Sequence, residues 1–596
     1  MTAVATLIAA FLLTLPLIFM VGNDDVASLP QTMWLQVAVP LLLIARYLTQ
    51  EGSEPFRAPH ALRPAIAFLG WSALSVLWAA DPFAAESVIF RWLAAAGLAF
   101  LIANTVESAV DARRLLMALF WASVVVSGLG LLQHLGGWTG IPQAYPPAGT
   151  LANKNVAAGF VAVMAPLGVA AFTAATTGVS VIALSMGMAL AFVFQTGCRA
   201  AMLALIVQAA VALFLIPLRD VPSRWPRAKW RALAAGAVAF VWLASMTPSA
   251  SSRDQGGTSE LLFGTARPVL RFLSGAPALW ESESPEGPSP LARAERSVNI
   301  RLGVWGNTLE MIRSNPVAGV GIGNFPVNYP RFASETPDGT RIDQRVESAH
   351  NDYVELVAEL GWLGAGLFGW LLLAAVRTMA SSNRRGGDEG LGLAIGLGLL
   401  GLLVLAALSP TAHQPVFLVA VATFVGVCSR PRTRLVDPAP NRQEARAPFG
   451  YTLGLAGASA SLVVASFWGV AQIRADRHVL TMAYAEARED WPAVVEEGLI
   501  ARGLSPGRMD SRFATASALL QLGRTREAAD MLEELAAVDP YNANALGNLG
   551  IAYTTLGDGE RARTCFERVL SLRPDDAFAR TQLHRVATPS AFLASP

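Results

Sequence analysis

Apolar runs long enough to cross a bilayer recur thirteen times, near residues 3–21, 33–48, 62–80, 88–105, 115–135, 156–175, 178–196, 200–217, 231–247, 353–376, 391–408, 415–428 and 451–471. A span needs about 20 residues of helix, fewer where helices are short or buried. Backbone polar groups in lipid must be satisfied within the segment, so each run reads as a helix. The splits near 196–200 and 408–415 rest on the fewest residues. The chain is 53% hydrophobic and 15% charged, against roughly 25% charged in a soluble domain. The expectation is an all-α, polytopic membrane bundle of about 12–13 spans with a polar appendage. A net charge of +1 leaves no basic footprint for nucleic acid. Cys198, Cys428 and Cys565 lie far apart without metal-ligand spacing, so neither a disulfide nor a metal site is expected. The first apolar run lacks a preceding Lys or Arg and a small-residue cleavage site, and reads as a retained span.

Orientation follows from arginine in the short loops. With the N-terminus in the cytoplasm, the cytoplasmic loops hold Arg46, Arg57 and Arg63, then Arg113 and Arg114, then Arg219, Arg224, Arg227, Lys229 and Arg231. Arg377, Arg384 and Arg385 follow, and last Arg430, Arg432, Arg434, Arg442 and Arg446. The short outer connections carry almost none, the exceptions being Lys154 and Arg199. This places the long loop 248–352 and everything after about residue 472 outside.

Within that loop, residues 248–295 are rich in Ser, Gly, Pro and Glu, a composition that cannot bury a core. Leu302, Trp305, Leu309 and Ile312 recur with helical period and predict an amphipathic helix over 299–313, on or near the membrane. Asn315-Pro316 ends it. The glycine-rich turn Gly319–Phe325 has no preceding strand, which argues against a dinucleotide site.

After the last span the chain repeats every 34 residues. Leu549, Gly550, Tyr553, Gly557, Ala562, Phe566 and Pro574 mark the clearest copy. Leu519, Gly523, Ala528, Leu532 and Pro540 stand one period earlier, and Trp491, Val494, Ala501 and Pro506 mark a degenerate third. These residues resemble tetratricopeptide repeats over 475–590. They are packing residues with no titratable cluster, which suits a surface that recruits a protein partner.

Where the long loop meets an apolar run, the chain reads His350-Asn351, nine residues, then Gly361-x-x-Gly364. Two glycines three apart suit close approach of another helix in a bilayer. The pattern resembles the signature of the O-antigen ligase and polymerase superfamily. Looser matches precede it in order: Gly149–Asn155, Thr196-Gly197-Cys198-Arg199, Arg301–Trp305 and Asn315–Gly321. The resemblance covers roughly residues 60–430. It implies a GT-C-like membrane domain over 1–472 in the bacterial inner membrane, with a periplasmic loop at 248–352 and a periplasmic repeat domain. It further implies a glycosyltransferase that takes a glycan from undecaprenyl diphosphate and passes it to an acceptor hydroxyl, without a cofactor. Lipid A-core, a growing glycan and a protein hydroxyl all remain open as acceptors.

The residues suit that chemistry. Without a metal, arginines must balance the leaving diphosphate, and guanidinium matches phosphate oxygens in bidentate fashion. Arg199 sits at an outer membrane end against the charge bias, and Arg301 opens the loop helix. Arg341, Arg345 and Lys154 are further candidates for diphosphate or glycan contact. His350 has the right ordinary pKa to take the hydroxyl proton, or it positions substrate. Glu347 is a rival base. Asn351 and Asp352 are expected to orient the ring or touch sugar hydroxyls. Trp305 would suit sugar stacking, though interfacial anchoring explains such aromatics too. His413, in the turn 409–414, reads as a surface group.

Overall fold

The computed structural model describes residues 3–49, 61–143, 145–215, 225–246, 290–334, 346–384, 389–429 and 449–587. Arg341, Arg345, most of the 248–295 segment and parts of the arginine-rich loops lie outside these residues. Among the described residues the chain is all-α, with no strand longer than an isolated bridge between Tyr145 and Asn153.

The membrane domain begins with α1 (Ala3–Thr14), α2 (Ser28–Leu48), α3 (Leu62–Leu74), α4 (Pro82–Thr105), α5 (Ala109–Gly136) and α6 (Lys154–Ala174). It continues with α7 (Val179–Thr196), α8 (Arg199–Leu215) and α9 (Arg227–Ser245). The loop contributes α10 (Pro290–Ser314) and the single turn α11 (Phe325–Asn328), before α12 (Asp352–Arg384), α13 (Glu389–Ala406) and α14 (Pro415–Cys428). Seven of the described helices are long and apolar enough to cross a membrane, and five shorter ones are apolar. The main core runs between helices on both sides of the loop: Leu98 and Leu101 of α4, Leu119 of α5, Phe160 of α6, Phe192 of α7 and Phe424 of α14 are all buried in it. Small residues let α7 and α9 cross closely, since a Cβ on either Gly187 or Gly236 would strike the other helix's backbone.

The glycines of the His motif do something else. Gly361 interrupts α12 with φ 66 and ψ −177, a conformation open essentially to glycine alone. The break admits the loop, beside α3, whose Trp71 Nε1 donates to Leu360 O at 3.0 Å. Trp362 N donates to Pro316 O at 2.8 Å, Val320 N to Ala358 O at 3.0 Å and Gly321 N to Glu359 O at 2.9 Å. A Cβ on Gly361 would meet Val317 O. At Gly361 the expected helix–helix groove is therefore a loop-docking notch, while a Cβ on Gly364 would first meet Leu360 of its own helix.

The amphipathic helix is present but turned. Val304, Asn307, Thr308, Met311 and Ile312 are buried, whereas Leu302 and Leu309 are each 48% exposed. The inner face joins Val320, Phe325, Tyr329, Ala349 and Ala358 in a small core of the loop. The outer apolar residues stay exposed, so the periodicity that predicted the helix came partly from its exposed side. The loop is clamped to the bundle by Asn324, whose Oδ1 accepts from Asp81 N at 2.7 Å and whose Nδ2 donates to Asp81 O at 3.0 Å. Asp81 in turn caps α4.

α15 (Phe449–Glu486) leaves the bundle and runs straight into the repeats: α16 (Trp491–Leu504), α17 (Met509–Gln521), α18 (Thr525–Val538), α19 (Ala543–Thr555), α20 (Gly559–Leu572) and α21 (Ala577–Ala587). The Arg508 guanidinium meets Asp476 at 2.7 Å, and Asp476 also accepts from Asp25 N at 3.0 Å. Val327 enters the repeat core, and Arg331 lies over the Tyr541 ring at 5.8 Å. The solenoid thus touches the same loop that carries the site.

Candidate active site

The site is built on a tight turn between the loop and α12. His350 is only partly exposed and adopts φ 52, the left-handed region that a histidine enters at a cost. Asn351 caps the helix: its Oδ1 accepts from Tyr353 N at 3.1 Å and Val354 N at 3.2 Å. That oxygen is committed to the backbone, which is the work the structure gives Asn351. Trp305 likewise spends its indole N–H on Ala349 O, at 2.8 Å. It stands one helical turn after Arg301, so this bond sets the approach of the Arg301 helix to the His350 turn.

The starts of α8 and α6 lie in the electrostatic field around Arg301 and Cys198. α7 ends on Gly197 at φ 64, Thr196 Oγ1 accepts from Cys198 N at 3.2 Å, and Arg199 starts α8. Lys154 starts α6 behind an Asn153 cap. Both cations therefore sit at helix N-termini, adding to the positive end of each dipole, a placement that disfavours cations and favours anions. The Arg301 guanidinium is pulled below its ordinary pKa by burial and then by Arg199. Cys198 lies within the field of both Lys154 and Arg301. Among the described residues, neither Arg199 nor Arg301 forms an ion pair with a carboxylate.

His350 feels the same field. Partial burial, then the Arg301 charge, lower its pKa below the ordinary histidine value, with Glu355 opposing. The neutral imidazole is thereby favoured at neutral pH, the form that accepts a proton. Arg199, Arg301 and His350, 151 positions apart from first to last, thus share one electrostatic neighbourhood with Lys154 at its edge. Glu347 is exposed on the approach to the turn. Arg341 and Arg345 fall outside the described residues.

Beneath the turn lies an acidic row, of which only Asp352 stood out in the sequence, as a group to orient the ring or touch sugar hydroxyls. Asp352, Glu355 and Glu359 follow one face of α12. Asp352 Oδ2 accepts from Thr411 N at 2.9 Å, Ala412 N at 3.0 Å and the Thr411 hydroxyl. Glu359 Oε1 accepts from Phe325 N at 3.0 Å. Glu355 Oε1 meets His413 Nε2 at 2.7 Å. His413 is therefore no plain surface group: it joins a buried carboxylate. The available signal was charge in an apolar setting, since acids at the mouth of a span and Arg91 inside one are costly without partners.

Residues 183–369 match the model of the family described as O-antigen ligase, and residues 519–583 match that of the tetratricopeptide repeat. The first match encloses Arg199, Arg301, His350 and Gly361. No curated protein matches the chain. Among solved structures, an APC/C hetero-tetramer of Cut9 and Hcn1 aligns at 11% identity over 93% of this chain and 99% of that one. Its TM-score of 0.19 carries no argument about this chain.

Proposed function

We propose that this chain, whose residues 183–369 match the O-antigen ligase family and whose C-terminal residues match tetratricopeptide repeats, is a glycosyltransferase of the inner membrane. Its donor is a glycan on undecaprenyl diphosphate and its acceptor hydroxyl belongs to lipid A-core. The acceptor oxygen attacks the anomeric carbon. The bond from that carbon to the diphosphate oxygen breaks, the hydroxyl proton passes to a ring nitrogen of His350, and the lipid diphosphate leaves with its electron pair. One displacement inverts the anomeric centre.

The observation that carries this reading is that Arg199 and Arg301, which have no carboxylate ion-pair partner among the described residues, lie close enough for Arg199 to lower the Arg301 pKa, and that Arg301 in turn helps lower the pKa of His350. Two like charges held close are costly unless an anion joins them, and a leaving diphosphate is such an anion. Arg199 and Arg301 then stabilise charge that grows in the transition state. Lys154, at its helix start, contributes charge to the same anion, and Glu347 borders the acceptor side. The solenoid, on the outer face with the site, holds a protein partner against the loop.

The glycan profile of a deletion strain tests the acceptor. Free lipid A-core with accumulated lipid-linked polymer is the expected result. Single-repeat glycan would instead make the enzyme a polymerase, and an unmodified protein a protein O-oligosaccharyltransferase.

A further inference from the structure

The peptide before His350 is held at both ends. Ala349 N donates to Glu355 Oε2 at 2.7 Å and Ala349 O accepts from Trp305 Nε1 at 2.8 Å. The strained φ of His350 persists only where the surroundings over-determine it, and these two bonds do so. Glu355 is 3% exposed, and a buried carboxylate is costly unless paired. Its partner is the His413 ring at 2.7 Å, 58 residues further along the chain. The His413 carbonyl in turn accepts from Arg91 Nη1 at 2.9 Å. A continuous strut thus runs from α4, through the 409–414 turn, across α12, to the His350 turn. The charged groups facing His413 are Glu355, Glu359 and Asp352 on α12 and Arg91 on α4.

We infer that His413 and Glu355 are positioning residues for the transfer: His413 gives the buried Glu355 carboxylate its partner, and Glu355 fixes the His350 turn through Ala349 N. The inference rests on His350 acting at the reacting hydroxyl. Burial alone would lower the His413 pKa, but the Glu355 hydrogen bond and charge raise it above the ordinary value, which favours the imidazolium the pair needs.

The test uses the purified full-length enzyme in liposomes with a polyprenyl-diphosphate-linked glycan and acceptor, read as kcat and KM across pH. His413→Ala should lower kcat on the order of 10²-fold, the usual penalty for a misplaced reacting group, while donor KM moves by less than about threefold. His413→Gln, whose amide can still donate to Glu355, should recover at least about tenfold of that loss. Glu355→Gln removes the carboxylate that favours protonated His350, so the acid limb of kcat/KM should move to lower pH. Mere scaffolding would leave that limb in place. A wild-type kcat in His413→Ala, or an unmoved limb in a folded Glu355→Gln enzyme, would overturn the inference. His350→Ala is run in parallel. If it transfers normally, the reading of the site itself fails. If it is inactive while His413→Ala is normal, only the strut fails. Should His413→Ala not fold, His413→Gln and Glu355→Gln decide the matter through kcat and the limb.

Discussion

Arg199 and Arg301 are placed where cations repel each other, Arg199 also at a helix start whose dipole disfavours it, and each is a single substitution away from a test. Arg199→Ala or Arg301→Ala should lower the transfer rate on the order of 10²–10³-fold, as loss of an electrostatic donor does. Arg→Lys at either position should recover little of it, because an ammonium cannot reproduce the planar fork on two phosphate oxygens. Rates within a few-fold of wild type in the alanine variants would remove the diphosphate from this site. The His350 environment fixes a second expectation. Its lowered pKa keeps the base neutral further into acid than an ordinary histidine. Transfer should therefore be full near pH 7 and fall only as pH drops through that lowered value. Arg301→Ala removes the charge that depresses His350 and should move the acid limb of its residual activity upward. A limb that stays put would break the proposed coupling between the two residues.

Among elements, α12 is the informative one. Its helical hydropathy was legible from the apolar pattern, as were the other spans, because a bilayer demands long apolar runs and little else produces them. Its break was not. Gly361 reads as one more small residue in a span, and only the docked 316–321 backbone shows why Cβ is excluded there. Gly361→Ala should cost at least about 2 kcal/mol through backbone strain alone, more through the clash with Val317 O. A lower apparent Tm in detergent, together with easier proteolysis of the loop, would register it; an unchanged Tm would contradict the notch. The loop helix α10 teaches a similar lesson. Helical period marked it, yet period could not separate the exposed Leu302 and Leu309 from the packed Val304 and Met311. The Glu355–His413 pair was illegible for a different reason: pairing across 58 residues of chain leaves no local pattern.

For the whole molecule, the repeats and the membrane domain are joined by one unbroken helix and by contacts to the turn before α2 and to the site loop. The 34-residue period made the solenoid legible, but nothing periodic announced that Val327 would enter its core or that Arg331 would lie over Tyr541. Cutting the chain after about residue 472 should leave measurable transfer with purified donor, since the solenoid supplies packing residues and no reacting group. It should lower the rate, since the loop loses a neighbour. Complete loss in a stably folded truncation would mean the solenoid is part of the site. An alkaline phosphatase fused at the C-terminus should be active if the solenoid shares the outer face with His350. An inactive, well-expressed fusion would reverse the topology.

The central claim, that the His350 turn is where the glycan changes hands, is tested most directly by one rate. It is transfer from a polyprenyl-diphosphate-linked glycan by purified His350→Ala enzyme in liposomes, measured beside wild type at neutral pH. Loss of the general base should lower the rate by about 10²–10⁴-fold. Near-wild-type transfer by a folded His350→Ala enzyme would contradict the account.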